Sequence, residues 1–130
     1  MTDRLKTLAH IGVAVENLDD ATALFGDTLG LAVEGRTELP DRGLEVAFLD
    51  TGNTKVELLA STRDDSAIGR FIAKKGPGIH HLCFKTPDIR RTMKELADAG
   101  LRLIDAEPRA GAEGHLVAFL HPKSTSGVLI

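Results

Sequence analysis

The chain has 130 residues, of which 42% are apolar and 27% charged, and a net charge of −3. That balance fits one globular domain, or two small half-domains sharing a core, and it argues against a basic nucleic-acid arm. The single Cys83 excludes an internal disulfide and fits a reducing cytoplasm. The absence of Trp and Tyr argues against aromatic stacking platforms, and no segment reads as a secretory leader or a bilayer span.

The first predicted element is a strand over residues 8–15. Asn17, Asp19 and Asp20 then supply capping and favourable charge for a helix. Leu18, Ala21, Leu24, Phe25 and Leu29 recur at helical spacing, and Gly30 ends the helix. Three strand-like segments follow at 31–37, 44–50 and 54–60, separated by Pro40-Asp41-Arg42-Gly43 and Gly52-Asn53. Asp65 or Ser66 can cap a short linker helix with Ile68, Phe71 and Ile72 inward. Lys74 and Lys75 occupy its last turn, where cations favour the helix dipole, and Gly76-Pro77-Gly78 stops it.

The plan then repeats. The stretch HIGVAVENLDDATALFGDTLGL from His10 and the stretch HLCFKTPDIRRTMKELADAGL from His81 both read strand, turn, helix, Gly-Leu. The second begins with a strand at 80–86, continues with a helix from Asp88 with Ile89, Met93 and Leu96 inward, and ends with strands near 102–105, 115–121 and 127–130. The expected architecture is therefore β-α-β-β-β twice. Each module buries one sheet face by pairing with the other.

Side chains alternate across a strand. In GIHHLCF, residues 78–84, His81, Cys83 and Lys85 share one face, and His80 joins Leu82 and Phe84 on the apolar one. In the first strand His10, Gly12 and Ala14 share a face opposite Ile11, Val13 and Val15. His10 and His81 thus hold equivalent places on small, cavity-like faces. In NTKVELL, residues 53–59, Glu57 is a carboxylate in mid-strand, which is costly without a partner. Two readings stand at this point. His10, His81 and Glu57 can hold a divalent transition metal with open positions, or each is a satisfied polar residue on a wet sheet face.

The chain resembles the vicinal oxygen chelate (glyoxalase-like) superfamily and, within it, the methylmalonyl-CoA epimerase family. The resemblance rests on HIGVAVENLDDA at 10–21, ELPDRGLEVAFLDTGNTKVELL at 38–59, DSAIGRFIAKKGPGIHHLCF at 65–84 and DAEPRAGAEGHLVAFLHPKSTSGVLI at 105–130. It implies an α+β fold of paired βαβββ modules in an eight-stranded, barrel-like sheet. The whole chain would form one domain, with module one at about 7–61, a linker helix at about 65–76 and module two at about 79–130.

The resemblance also implies a cytoplasmic, homodimeric isomerase acting on an acyl-CoA, interconverting (2R)- and (2S)-methylmalonyl-CoA through an enolate. Its metal ligands fall on His10, Glu57 and His81. The metal is typically cobalt, with manganese, nickel or zinc as alternatives. A fourth ligand and principal base is a glutamate directly after the GVLI-like segment, one position past Ile130. Some relatives place a second glutamate three residues after the glycine matching Gly43. Here that place is Val46, and Glu45, one residue earlier, is either a displaced acid/base or a solvated edge charge. Lys123 in His121-Pro122-Lys123 either helps place a substrate carboxylate or CoA phosphate, or is a loop lysine. Cys83, with no motif around it, reads as packing. The alternatives are another metal-dependent enzyme of the superfamily, such as a glyoxalase-like lyase or thiol transferase, and a non-catalytic small-molecule-binding module.

Overall fold

Short polar residues start each helix of the protein. In the computed structural model, which describes residues 4–112 and 114–130, strand β1 (Leu8–Val15) leads into helix α1 (Leu18–Thr22), and Asn17 caps it by accepting from the Asp20 amide at 2.9 Å. Three strands follow, β2 (Ala32–Leu39), β3 (Leu44–Asp50) and β4 (Lys55–Ser61). Helix α2 (Ala67–Lys75) is capped by Ser66 rather than Asp65, with Oγ accepting from the Gly69 amide at 2.9 Å. After β5 (Gly78–Phe84), Asp88 caps helix α3 (Ile89–Asp98) by accepting from the Arg91 amide at 3.1 Å. The chain continues through β6 (Arg109–Ala110) and β7 (Leu116–Val117).

The fold is α+β, with a mixed five-stranded sheet in the order β2-β3-β4-β1-β5 and a separate β6-β7 ribbon. Two units divide the chain, His10–His80, and the segment up to Ala9 with His81–Ile130. In the first, β2-β3-β4 is an antiparallel meander, and β1 joins β4 in parallel. Its core lies on one sheet face, where Val15, Leu18, Ala47, Leu49, Leu58 and Ala60 pack with Val13, Ala21, Phe25, Leu31 and Val56. The turn before β3 needs Gly43 in the left-handed region, φ 66°, and a Cβ there would meet the Arg63 side chain at 2.7 Å.

The first helix departs from the expected one. It passes after Thr22 into a π turn over Ala23–Thr28, where the Leu29 amide donates to the Leu24 carbonyl at 2.8 Å, five residues back. Adding a residue to the turn rotates later side chains off the helical stripe. Ala21 and Phe25 pack on the core, but Leu24 and Leu29 of the same periodic set are 50% and 60% exposed.

The second unit departs further. Strands expected near 102–105, 115–121 and 127–130 are reduced to an isolated Leu103–Leu120 bridge and the two-residue β7, which pairs with β6 between the first two of them. Single hydrogen bonds align the same segments. The Ile104 amide donates to Phe119, His121 to Arg102, Leu120 to Ile130, and Leu82 to Leu129. Pro108 and Pro122 lack ladder donors, and Ser126 and Gly127 turn left-handed at φ 59° and 86°, so no run of pairs grows long. The eight-stranded sheet is thus not seen among the described residues, where the main sheet has five strands.

Leu58 is fully buried on the helix-covered face, opposite Ala47 of β3. Leu58→Ala removes its side chain from a packed site and should cost about 3 kcal/mol in a urea titration, whereas an unchanged midpoint contradicts this core.

Candidate metal centre

The register of three strands builds one row of side chains. Glu57 of β4 lies opposite Gly12 of β1 and opposite Phe48 of β3, and Phe48 in turn faces Gly35 of β2. Cross-strand partners share a face, so Gly12, Glu57 and Phe48 stand on the face away from the helix-covered core. His10, two residues before Gly12, is on that face one pleat away. Its Nε2 lies 3.6 Å from Glu57 Oε2.

Glu57 is only 6% exposed. Removing a carboxylate from water is expensive, so it must be paired, hydrogen-bonded or bound to a cation. The 3.6 Å separation exceeds a direct hydrogen bond. It matches the spacing of two ligands that each sit about 2.0–2.2 Å from a shared ion. His81 on β5 is 5% exposed, and its ring meets Phe119 edge-on at 5.6 Å between centroids. Among the described residues, His10, Glu57 and His81 form the group able to hold a metal ion, each offering one ligand atom, all within 4.8 Å of one another. Two imidazoles and one carboxylate suit a divalent transition metal and leave coordination positions for a bidentate substrate.

The neighbouring His80 has a different role. It meets Phe71 of α2 edge-on at 4.8 Å between ring centroids. Burial pushes its imidazole below the ordinary value, and the charge of Lys75 pushes the same way. The ring packs against α2.

Glu45 does not reach the Glu57 face. It pairs with Ala60 of β4, on the opposite side of the sheet, and its Oε2 lies 3.7 Å from Arg36 Nη2. Arg36 also pairs with Asp19. Arg36, Thr37, Glu38 and Glu45 line a shallow cavity of about 250 Å³. The residue that does share the Glu57 face is Val46, fully buried and paired with Leu59. Strand alternation thus keeps Glu45 on the face opposite Glu57, with no bulge in the β3–β4 pairing to turn it round. Lys123 lies exposed on a 3-10 turn over Pro122–Ser124, capped by His121, whose Nδ1 accepts from the Lys123 amide at 3.1 Å. Cys83 is half-buried on β5, one pleat beyond His81.

Sequence reasoning passed over Phe48. Strand β3 is buried on both faces, so Leu44–Asp50 shows no alternation to mark which of its side chains stand beside Glu57.

The Glyoxalase/Bleomycin resistance protein/Dioxygenase superfamily pattern matches residues 9–119. The ethylmalonyl-CoA/methylmalonyl-CoA epimerase of Cereibacter sphaeroides is 40% identical over 125 residues, covering 95% of this chain and 93% of that protein. The crystal structure of methylmalonyl-CoA epimerase from Mycobacterium tuberculosis superposes with a TM-score of 0.93 at 32% identity, covering 100% of this chain and 88% of the other. A variant of the Streptomyces coelicolor methylmalonyl-CoA epimerase, in complex with 2-nitronate-propionyl-CoA, superposes at 0.89 with 37% identity over 96% of this chain and 94% of the other.

If Glu57 belongs to a metal centre, Glu57→Ala should weaken Co²⁺ binding at least about tenfold in equilibrium dialysis. Unchanged affinity would show that the carboxylate is buried for another reason.

Proposed function

Because the chain belongs to the glyoxalase superfamily and, within it, to the methylmalonyl-CoA epimerases, we propose that it interconverts the (2R) and (2S) forms of methylmalonyl-CoA by moving the proton alpha to the thioester. The observation that carries this reading is the His10–Glu57–His81 group, three ligand atoms gathered within 4.8 Å. A divalent ion held there supplies Lewis-acid stabilisation to the negative charge that develops as C2 loses its proton.

The chain's own residues account for the rest. His10 and His81 would each offer a ring nitrogen to the ion, and Glu57 would offset one of its two charges. Val46, Phe48 and Leu59, all buried on the Glu57 face, keep water from the carboxylate and lower the local dielectric, which strengthens every charge interaction nearby. The one carboxylate β3 carries on that face, Asp50, is exposed at the strand end opposite Lys55. The principal base is proposed, as the resemblance implies, to be a glutamate following the GVLI-like segment, with Glu45, beside Arg36 on the other face, as the weaker candidate. Lys123 is proposed to hold the substrate carboxylate or a CoA phosphate from its exposed turn.

Finer features belong to the same proposal. Cobalt is the resident metal, with manganese, nickel or zinc able to replace it, since this ligand set does not select one uniquely. The enzyme is a cytoplasmic homodimer. Its 130 residues are one domain of paired βαβββ modules in an eight-stranded, barrel-like sheet, with the α2 segment as linker. The hydrogen bonds that align residues 102–104, 119–121 and 129–130 support three further strands beyond β5.

The test is epimerisation of methylmalonyl-CoA followed by exchange of the C2 proton with deuterated solvent. Chelation should abolish exchange and added Co²⁺ restore it. His10→Ala and His81→Ala should each lower kcat/KM by a factor on the order of 10² or more. Exchange that persists at full rate in the chelated protein would contradict the reading.

A further inference from the structure

Gly12 sits in the middle of β1, between His10 and Ala14 on one face, and is buried. A glycine in a strand interior costs about 0.5–1 kcal/mol relative to alanine, so its presence needs a cause. Backbone geometry is not the cause, because Gly12 is absent from the positive-φ glycines and has a conformation any residue adopts. A bulge is not the cause either. Its pairing with β4 runs without a break from Ile11 opposite Val56 to Val15 opposite Ala60.

The other glycine of the same row, Gly35, is explained. It lies at the register shift of β2, and a Cβ there would meet nothing within 4 Å. Gly12 is different because its missing side chain is directly beside Glu57. On the other flank of Glu57 stands Phe48, 7% exposed. The row carries a phenyl ring on one side of the carboxylate and only a glycine, with no side chain, on the other. Strand glycines of this kind mark places where a ligand or another stretch of backbone approaches closely.

We propose that Gly12 is a specificity-determining residue of the site, leaving beside Glu57 the space that the acyl end of a CoA thioester occupies. This rests on the epimerase reading. The methyl group an alanine adds projects onto the Glu57 face, within about 5 Å of the Glu57 Cβ. It takes room from the substrate and leaves the ligand atoms where they are. The cost rises with the size of the group on C2.

The experiment compares the unaltered protein, Gly12→Ala and Gly35→Ala. It reads Co²⁺ stoichiometry, Tm, and kcat/KM for methylmalonyl-CoA and ethylmalonyl-CoA. Gly12→Ala should keep its cobalt and a Tm no lower than that of the unaltered protein. Its kcat/KM should fall about tenfold or more for the methyl substrate, and further for the ethyl one. Gly35→Ala should match the unaltered protein throughout. Full activity of Gly12→Ala overturns the proposal. A lowered Tm or lost cobalt also overturns it, by showing that protein atoms rather than substrate need the space. If the unaltered, cobalt-loaded protein epimerises neither thioester, the underlying functional reading fails instead, and this proposal falls with it.

Discussion

A carboxylate buried in the middle of a sheet is the constraint on which this structure turns. Glu57 is 6% exposed on β4, a strand with neighbours on both sides. Desolvating such an ion costs several kcal/mol, and a compensating charge must come from the same small space. His10 Nε2 stands 3.6 Å from Glu57 Oε2, close enough for both to contact one ion. A shared divalent ion meets the need, because it offsets the carboxylate charge and takes one nitrogen from each imidazole.

The topology follows from bringing that carboxylate beside a histidine. β4 must lie next to β1, and the chain between them makes α1, β2 and β3, so the meander ends alongside the first strand and parallel to it. The helices cover one face with Leu18, Ala21 and Phe25 against Ala47, Leu49 and Leu58. This leaves the other face of β1, β3 and β4 free to carry His10, Glu57 and the apolar wall of Val46, Phe48 and Leu59. One sheet thus divides its faces between stability and chemistry, and register keeps the two sets apart, since a slip of one residue exchanges them.

Much of this was legible in the residues because its signals are local. The alternation of GIHHLCF separates His80 from His81, and the structure gives His80 a Phe71 contact and His81 a buried place in the metal-capable group. Capping residues marked all three helix starts. The features that escaped depend on context. The π turn after Thr22 has no sequence signature in ALFGDT, yet it turns Leu24 and Leu29 outward. The strands of the second unit read well as apolar runs but are cut short by prolines and by the left-handed Ser126–Gly127 pair. Phe48 and Gly12 became visible beside Glu57 only when β1, β3 and β4 were aligned, because pairing register is not written in any one strand.

The central claim is that Glu57 and two histidines share one ion. X-ray absorption at the cobalt edge of the Co²⁺-loaded protein tests it most directly. The account predicts about one cobalt per chain, with the multiple-scattering signature of two imidazoles and oxygen atoms in the remaining positions. A protein that takes up no stoichiometric cobalt, or an ion whose spectrum lacks imidazole, contradicts it.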